Sequence, residues 1–430
     1  MSDRPSDRRE GVRPARGVSR PASDRRVESA APDAGMSGPP EPLGRGMRAV
    51  GDGDPARHFE AIYFYIHDVG RSIELKTVAA LIPAHDDLGL VKRRDTPASL
   101  SLPRPLVVQL NEGEVVDEGE LESFSAQARI YEDGAVSVVI RVRARIRVSE
   151  LHALHDRRLA AGAQTVSIDG YADESFHRLC AAIRPAIVDA WDSGESDRET
   201  YAAFCLIDGE DEPARFLAEH QAEIAALLIG ESPAEVLHDS QISATIGRPF
   251  SYRKDDIAVF DLDRCIIIDA RRDYEDLLLI VENANYQLLE LRVLDKLLDR
   301  WLDEAEKDMR LIYTGSHRGR RRVTGSVQRK FAYIQSLRFD ALFILENLEN
   351  SSKIIGDYYL GQIYDRLCAI FNTDGWKWSI ERRLDTLQSI YEMVKTDTSE
   401  RKLLWLEVIF IVVCVIFPLI QILQVMLLSH

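Results

Sequence analysis

From His58 onward the apolar positions recur with definite periods, and those periods divide the chain into elements. Ala61–Val69 (AIYFYIHDV), rich in β-branched and aromatic residues, predicts a strand, and Gly70–Ile82 fits a helix. Pro103–Leu110 is a short apolar run, followed by an acidic stretch, Glu112–Glu122. Ala126–Tyr131 and Ala135–Val148, joined by Glu132-Asp133-Gly134, predict a hairpin, because Asp-Gly supplies the turn geometry that paired strands need. Helical patterns follow at 149–162 and 172–192, then a strand at Tyr201–Ile207. The order β-α-β-β-α-β predicts a ferredoxin-like α+β domain. Pro213–Ile229 reads as one amphipathic helix stopped by Gly230, and Ser232 opens another. Ile257–Phe260 and Cys265–Asp269 read as a second hairpin, closing the globular part near residue 270.

Beyond it the period becomes helical. Leu277, Val281, Ala284, Leu288, Leu291, Leu298 and Trp301 recur at three and four residues, as do Phe331, Ile334, Ala341, Leu345 and Leu348. Ile355, Tyr359, Ile363, Leu367 and Ile370 continue the pattern. Ile380, Leu384, Leu387, Tyr391 and Val394 form a 4-3-4-3 seam of the coiled-coil type. Breaks at Gly315–Gly325 and Asp374-Gly375 predict a long antiparallel helical stalk of three helices.

The last periodic feature is an uninterrupted apolar run. Residues 408–428 carry no charge and as a helix span about 31 Å, close to the hydrocarbon core of a bilayer. This predicts a single C-terminal transmembrane helix, a tail anchor. Arg401 and Lys402, with Arg382, Arg383 and Lys395 upstream, place the soluble part in the cytoplasm by the positive-inside bias, here of a bacterial inner membrane. Glu407, Cys414 and Gln421 follow at seven-residue intervals, with Gln424 one turn beyond. Polar side chains on one face in lipid favour helix association, so a homo-oligomer is expected.

Composition sharpens this division. The 430 residues carry 54 Lys+Arg against 70 Asp+Glu, a net charge of −16, which disfavours nucleic acid as a partner. Residues 1–57 hold 11 Arg, no Lys and 8 of the 17 Pro, with almost no large apolar side chain. Such a segment buries too little to offset its ordering entropy and is expected to be a disordered tail. The organisation is therefore a tail (1–57), an α+β domain (58–270), a stalk (271–402) and an anchor (403–430). Cys180, Cys205, Cys265, Cys368 and Cys414 stand singly, as reduced thiols of a cytosolic compartment do.

Candidate chemistry is sparse. Arg141, Arg143, Arg145 and Arg147 alternate with apolar residues, which puts four guanidinium groups on one sheet face. They could bind phosphate, but the stacking aromatics of sheet-type RNA readers are missing, and pairing with Glu112–Glu122 is the plainer reading. His317–Arg322, with Arg318, Arg320, Arg321 and Arg322, is a basic loop able to touch anionic headgroups if it points at a membrane. Val259–Cys265 (VFDLDRC) superficially resembles the aspartyl-nucleophile run of haloacid-dehalogenase phosphatases. Helices, not an α/β sheet, follow it, so a hairpin turn is the reading. His152 and His155 lack a third ligand. No P-loop, dinucleotide fingerprint, nucleophile elbow or zinc-protease motif occurs, so neither catalytic residues, nor a metal, nor a cofactor is assigned.

Several short runs carry a family resemblance. Gly134-Ala135-Val136-Ser137, Ser251-Tyr252 with Asp255-Asp256, Gln287–Arg292, Gly356-Asp357, Glu400-Arg401-Lys402 and Leu406-Glu407 resemble a group of uncharacterised bacterial membrane-anchored proteins. The layout is similar, more distantly, to the required-for-meiotic-nuclear-division family. The resemblance implies an α+β domain, a helical hairpin, one C-terminal membrane helix and partner or scaffold roles, with no catalytic residue to carry over. Asn283, Asn285, Gln287, Glu290 and Arg292 beside Leu288 and Leu291 read as register-fixing polar groups. The expectation is a tail-anchored scaffold or interaction module with a protein partner still to be identified. A regulatory or ligand-sensing subunit of a membrane transport system is the alternative.

Overall fold

The structure, a computed structural model, describes residues 55–82, 86–87, 105–116, 122–161, 164–190, 197–210, 212–231, 237–313, 329–339, 341–342 and 358–428. The expected tail up to residue 54, the basic loop 317–322, Leu345, Leu348, Ile355 and Gly356-Asp357 lie outside the described residues. The elements in chain order are β1 (Arg57–Asp68), β2 (Gly70–Ile73), α1 (Leu75–Leu81), β3 (Asp86–Asp87), β4 (Leu106–Val116), β5 (Glu122–Ile130) and β6 (Ala135–Ile146). A 3-10 helix (Val148–Asp156), β7 (Arg158–Ala161), β8 (Gln164–Ser167), α2 (Ile168–Ile183), β9 (Ile187–Ala190) and β10 (Arg198–Leu206) follow. Then come α3 (Pro213–Glu219), α4 (Gln221–Ile229), α5 (Asp239–Ile246), β11 (Asp256–Phe260) and β12 (Arg264–Asp269). The helical region comprises α6 (Glu275–Tyr313), α7 (residues 329–339), α8 (Tyr358–Ile370) and α9 (Thr373–Leu428). The chain is thus a mixed α+β protein.

One sheet in the order β11-β12-β10-β1-β6-β5-β4-β7-β8, with β3 beside β4, organises the first part. Every pairing is antiparallel except β10–β12. β1 lies at its centre, hydrogen-bonded to β6 and β10 along its length. Both faces are covered there, which is why β1 reads as an almost unbroken apolar run. Phe59, Ala61, Tyr63 and Tyr65 point to one face, against α1, α2, α4 and the 3-10 helix. Ile62, Phe64 and Ile66 point to the other, against α6 and α8.

The expected hairpin β5–β6 is present, and its turn explains its glycine. Gly134 has φ of +101°, and a Cβ there would meet the Gly70 carbonyl oxygen at 2.0 Å, so neither conformation nor space admits a side chain. The β11–β12 hairpin is present too, turning through Asp261–Asp263. It adds to the edge of the same sheet by the one parallel pairing, a long-range contact that no local pattern encodes.

Other elements differ from the sequence expectation for local reasons. The helix expected at Gly70–Ile82 begins only at Leu75, because Gly70–Ile73 pairs with β9 as a separate two-stranded sheet. The pattern at 149–162 becomes a 3-10 helix ending at Asp156 and then the strand β7. The helix expected to reach residue 192 ends at Ile183, where Pro185, lacking a backbone donor, passes the chain into a 3-10 turn, Arg184–Ala186. Pro213–Ile229 is two helices parted at His220, and Gly230, with φ of +84°, caps the second. The acidic stretch after Leu110 belongs largely to the ends of β4 and β5.

α6 is 39 residues, about 58 Å. Its first turns are buried against the sheet, with Leu278, Val281 and Leu289 in the sheet's second core. Farther along, Leu291, Leu294, Leu298 and Ala305 pack with Ile334 and Leu337 of α7 and with Ile380, Leu384, Leu387, Tyr391 and Val394 of α9. Arg383 of α9 reaches Asp295 at 2.9 Å and Asp299 at 2.7 Å, and Tyr391 reaches Asp308 at 3.1 Å, so α9 runs parallel to α6. Lys330 meets Asp308 at 2.7 Å and Arg338 meets Asp385 at 3.3 Å, so α7 runs against both. The second break falls at Asn372, whose φ of +53° is a left-handed conformation that Asn tolerates, just before Asp374-Gly375.

Candidate functional site

The arginine row follows period two on the second face of β6 and just past its end, and Arg141 and Arg143 find a partner outside the acidic stretch, whose side chains lie outside the described residues. The register places β5 between β6 and β4, so Glu112 stands two strands from Arg141. Glu60 of β1, 1% exposed, takes the pairing instead. Its carboxylate accepts from Arg143 Nε at 2.9 Å, Arg141 Nη1 at 3.4 Å and the Tyr274 hydroxyl at 3.0 Å. Arg141 also grips Glu275, in the first turn of α6, with both terminal nitrogens at 2.6 and 2.7 Å. Burial pushes the Glu275 carboxyl up, but the Arg141 hydrogen bonds and charge more than offset this and leave it below the ordinary range. Arg143, Arg145 and Arg147 are exposed, with Arg147 at 3.8 Å from Glu150.

Deeper along the same face the charges are enclosed. Arg129 of β5 and Glu282 of α6, 4% and 0% exposed, form an ion pair. The other carboxylate oxygen of Glu282 and the Ser137 hydroxyl, directly across the strands from Arg129, lack hydrogen-bond partners among the described residues. Tyr131 stacks on Tyr286 at 5.0 Å, and the Tyr286 hydroxyl donates to Asp133 at 3.3 Å. One helical turn on, Glu290 has its carboxyl lifted well above the ordinary range, first by burial and then by the charges of Asp68 and Asp133. Arg292 pairs with Glu199, and Lys296 with Asp197. Gln287 accepts from the Tyr364 hydroxyl of α8.

Of the expected polar positions of α6, Gln287 and Arg292 make contacts to another helix and to the sheet, whereas Asn285 donates to Val281 of its own helix and the Asn283 amide nitrogen has no hydrogen-bond partner among the described residues. Glu60, Arg129, Glu275 and Glu282 were missed. The available signal was a charged residue at a sheet- or helix-core position: Glu60 in FEAIYF and Glu282 in LLIVENA.

On the opposite face Asp169 of α2 links two groups, accepting from the Tyr65 hydroxyl at 2.7 Å and lying 3.3 Å from His155 Nε2. His155 is therefore paired with a carboxylate, while His152 Nδ1 lies 3.1 Å from the Ser149 carbonyl in its own 3-10 helix. His67 stacks on Phe176 at 3.8 Å with neither ring nitrogen hydrogen-bonded, and burial lowers its pKa to about 3, so it is neutral. At the β11 edge a cleft of about 60 Å³ is walled by Tyr252, Tyr274 and Tyr359. Its Asp256 and Asp269 are engaged in capping backbone N–H groups of 252–253 and of 271 and 273. Among the described residues no group of three or more His, Cys, Asp or Glu is arranged to hold a metal.

α9 continues without interruption from the helical core into an apolar segment. Leu403–Gln421 is long and apolar enough to cross a membrane and is unburied throughout, unlike the core helix of a soluble protein. Glu407, Cys414 and Gln421 lie exposed on it, and the side chain of Gln424 lies outside the described residues.

Fold and site together define a mixed α+β protein with a charge-stitched sheet–helix interface and one C-terminal helix of membrane-spanning character. Residues 58–275 match the family described as "Uncharacterized protein MJ0711, N-terminal domain", and the chain belongs to that family. The matched region ends on the first residue of α6. Over 202 residues the chain is 25% identical to the uncharacterized protein MJ0711 of Methanocaldococcus jannaschii, covering 47% of this chain and 59% of that one. It therefore spans little more than half the length of this relative. No solved structure matches.

Proposed function

We propose that the protein is a tail-anchored scaffold or interaction module, holding its α+β body at a cytoplasmic membrane face through a helical stalk. The observation that carries this reading is α9 itself. Ile380, Leu384, Leu387, Tyr391 and Val394 lock one end into the core with α6, while Leu403–Gln421 of the same helix presents exposed apolar side chains along its whole length. Water does not tolerate such a surface, and a bilayer does. Arg401 and Lys402 before the span support the cytoplasmic side.

The finer fold reading belongs here as well. The four strands β10-β1-β6-β5, antiparallel, with α1 and α2 on one face, support a ferredoxin-like unit extended at both edges. The layout of sheet body, helical region and apolar terminal helix supports the distant resemblance to the required-for-meiotic-nuclear-division family. Glu407, Cys414, Gln421 and Gln424 are assigned to helix association, and the basic loop 317–322 to anionic headgroups.

The test is extraction. The full chain is expected to pellet with membranes, resist alkaline carbonate and dissolve only in detergent, whereas a chain ending at Lys402 stays in the supernatant. Recovery of the full chain in the carbonate supernatant overturns the anchor. The scaffold role fails separately if the detergent-solubilised full chain is a monomer carrying no partner.

A further inference from the structure

The cytoplasmic half of α9 has a face that the described residues of its bundle leave open. Ile380, Leu384, Leu387, Tyr391 and Val394 point into the helical core. On the opposite side Trp378, Arg382, Asp385, Ser389 and Met393 form an exposed stripe, with Trp378 61% and Met393 56% exposed. The stripe is hollowed into a shallow groove of about 520 Å³, and Arg382 packs over the Trp378 ring at 5.1 Å. Two large apolar side chains held in water at either end of a stripe whose centre is Arg382, Asp385 and Ser389 are the pattern of a helix seam lacking its partner.

We propose that this stripe is the interface with the α9 helix of a second copy of the chain, packed in parallel. The inference rests on the membrane reading above and names the surface that carries the association. Three observations select a second copy as occupant. The first is continuity. Glu407 follows Ser389 by 18 residues of one unbroken helix, which at 3.6 residues per turn is about five whole turns, so both lie at one azimuth. Cys414 and Gln421 drift from it by only about 20° per seven residues. The polar face inside the span is therefore the extension of the open stripe, turned away from the bundle core.

The second is orientation. Two copies anchored through the same segment in one membrane present their α9 helices in parallel, and a two-fold pair then meets through the same patch on both. The third is charge. Arg382 and Asp385 stand one turn apart on the stripe, so a parallel neighbour sets the Arg382 of one chain beside the Asp385 of the other. Asp385 already shares its carboxylate with Arg338 at 3.3 Å and stays 67% exposed, leaving room for a second cation. At the centre Ser389, whose hydroxyl turns back to the Asp385 carbonyl at 2.8 Å, lets the backbones approach. Below it, a carboxyl entering hydrocarbon at Glu407 gains hydrogen-bonding partners from the facing chain.

The test is disulfide trapping of the full chain in native membrane vesicles. In a Cys414→Ser background, Ser389→Cys is expected to give severalfold more covalent dimer on mild oxidation than Glu174→Cys, an exposed site on α2. Equal yields at the two positions, or none at Ser389, overturn the seam. A second variant, Trp378→Glu with Met393→Glu, touches no core residue. It is expected to convert the detergent-solubilised dimer to monomer in light scattering, with its thermal melt unchanged, and a dimer that persists overturns the proposal. Membrane pelleting is read in the same samples. A chain that pellets but does not cross-link removes the seam and leaves the anchor standing, whereas a chain that fails to pellet removes the anchor first.

Discussion

The two faces of the central sheet are built on opposite rules. The face under α1, α2 and α4 is filled by Val138, Ile140, Val142, Phe204, Ile224 and their neighbours, and its main polar link, Tyr65 to Asp169, lies at the margin. The face under α6 has an apolar centre too, but α6 is fastened across it by charges: Glu275 on Arg141, Glu282 on Arg129, Arg292 on Glu199 and Lys296 on Asp197. Apolar packing is non-directional and tolerates sliding. An ion pair buried between a helix and a strand tolerates neither a shift nor a rotation of the helix. The difference suggests one face built for cohesion and one for fixing the axial position of a helix that leaves the sheet and leads to α9.

The largest effect should come from breaking that contrast at its most buried point. Arg129→Met strands the Glu282 carboxylate in the core, and is expected to cost about 3–5 kcal/mol in denaturant unfolding of the detergent-solubilised chain. Arg129→Met with Glu282→Leu makes the charged face resemble the apolar one and is expected to recover most of that loss. If the double variant is as unstable as the single one, the pair contributes cohesion and the two faces do not differ in kind. If it is stable but its α6 amides exchange faster, the pair acts on register, as the comparison requires.

How much of this was legible depends on the range of the interactions. The hairpins β5–β6 and β11–β12 were readable because a turn and two alternating runs are local. The seam Ile380–Val394 was readable because helical periodicity is local as well. The parallel pairing of β12 on β10 was not, since Cys205 and Ile267, which lie opposite each other, stand 62 positions apart in a chain that carries no local sign of it. The arginine row was placed on the correct face, while Glu60, the partner of Arg141 and Arg143, is supplied by the neighbouring central strand, just before the run Ala61–Val69 that was read as the strand. The polar run of α6 was read as register-fixing, and its contacts with Tyr364, Glu199 and Asp133 are of that kind.

A middle-sized effect separates the two ends of the α6 interface by pH. Burial and the charges of Asp68 and Asp133 raise the folded-state pKa of Glu290. When pH rises above the ordinary glutamate value of about 4.3, the unfolded chain ionises at this position while the folded chain holds its proton, so stability falls with rising pH. Glu290→Gln keeps the neutral form and is expected to melt higher than the wild type at pH 7, with the gap closing near pH 4. A gap that stays constant between pH 4 and 8 would show that the proton is not what is being removed.

The smallest effect, and the one of opposite sign, belongs to Glu275. The Arg141 fork holds its folded-state pKa below the unfolded value, so its contribution is present above the ordinary carboxyl pKa and is lost as pH falls through the depressed one. Its side chain is 58% exposed, so solvent and salt screen the pair, and Glu275→Gln is expected to cost under about 1 kcal/mol at pH 7 and less at high salt. Arg141 keeps Glu60 at 3.4 Å after the substitution, which limits the loss further. The pH profiles of Glu275→Gln and Glu290→Gln, each relative to wild type, should therefore run in opposite directions: the first variant loses ground above pH 4 and the second gains it. Two profiles of the same sign would mean that a general charge term dominates both ends of the helix. Opposite profiles would show that α6 carries an ionised carboxylate at its root and a neutral one four turns along.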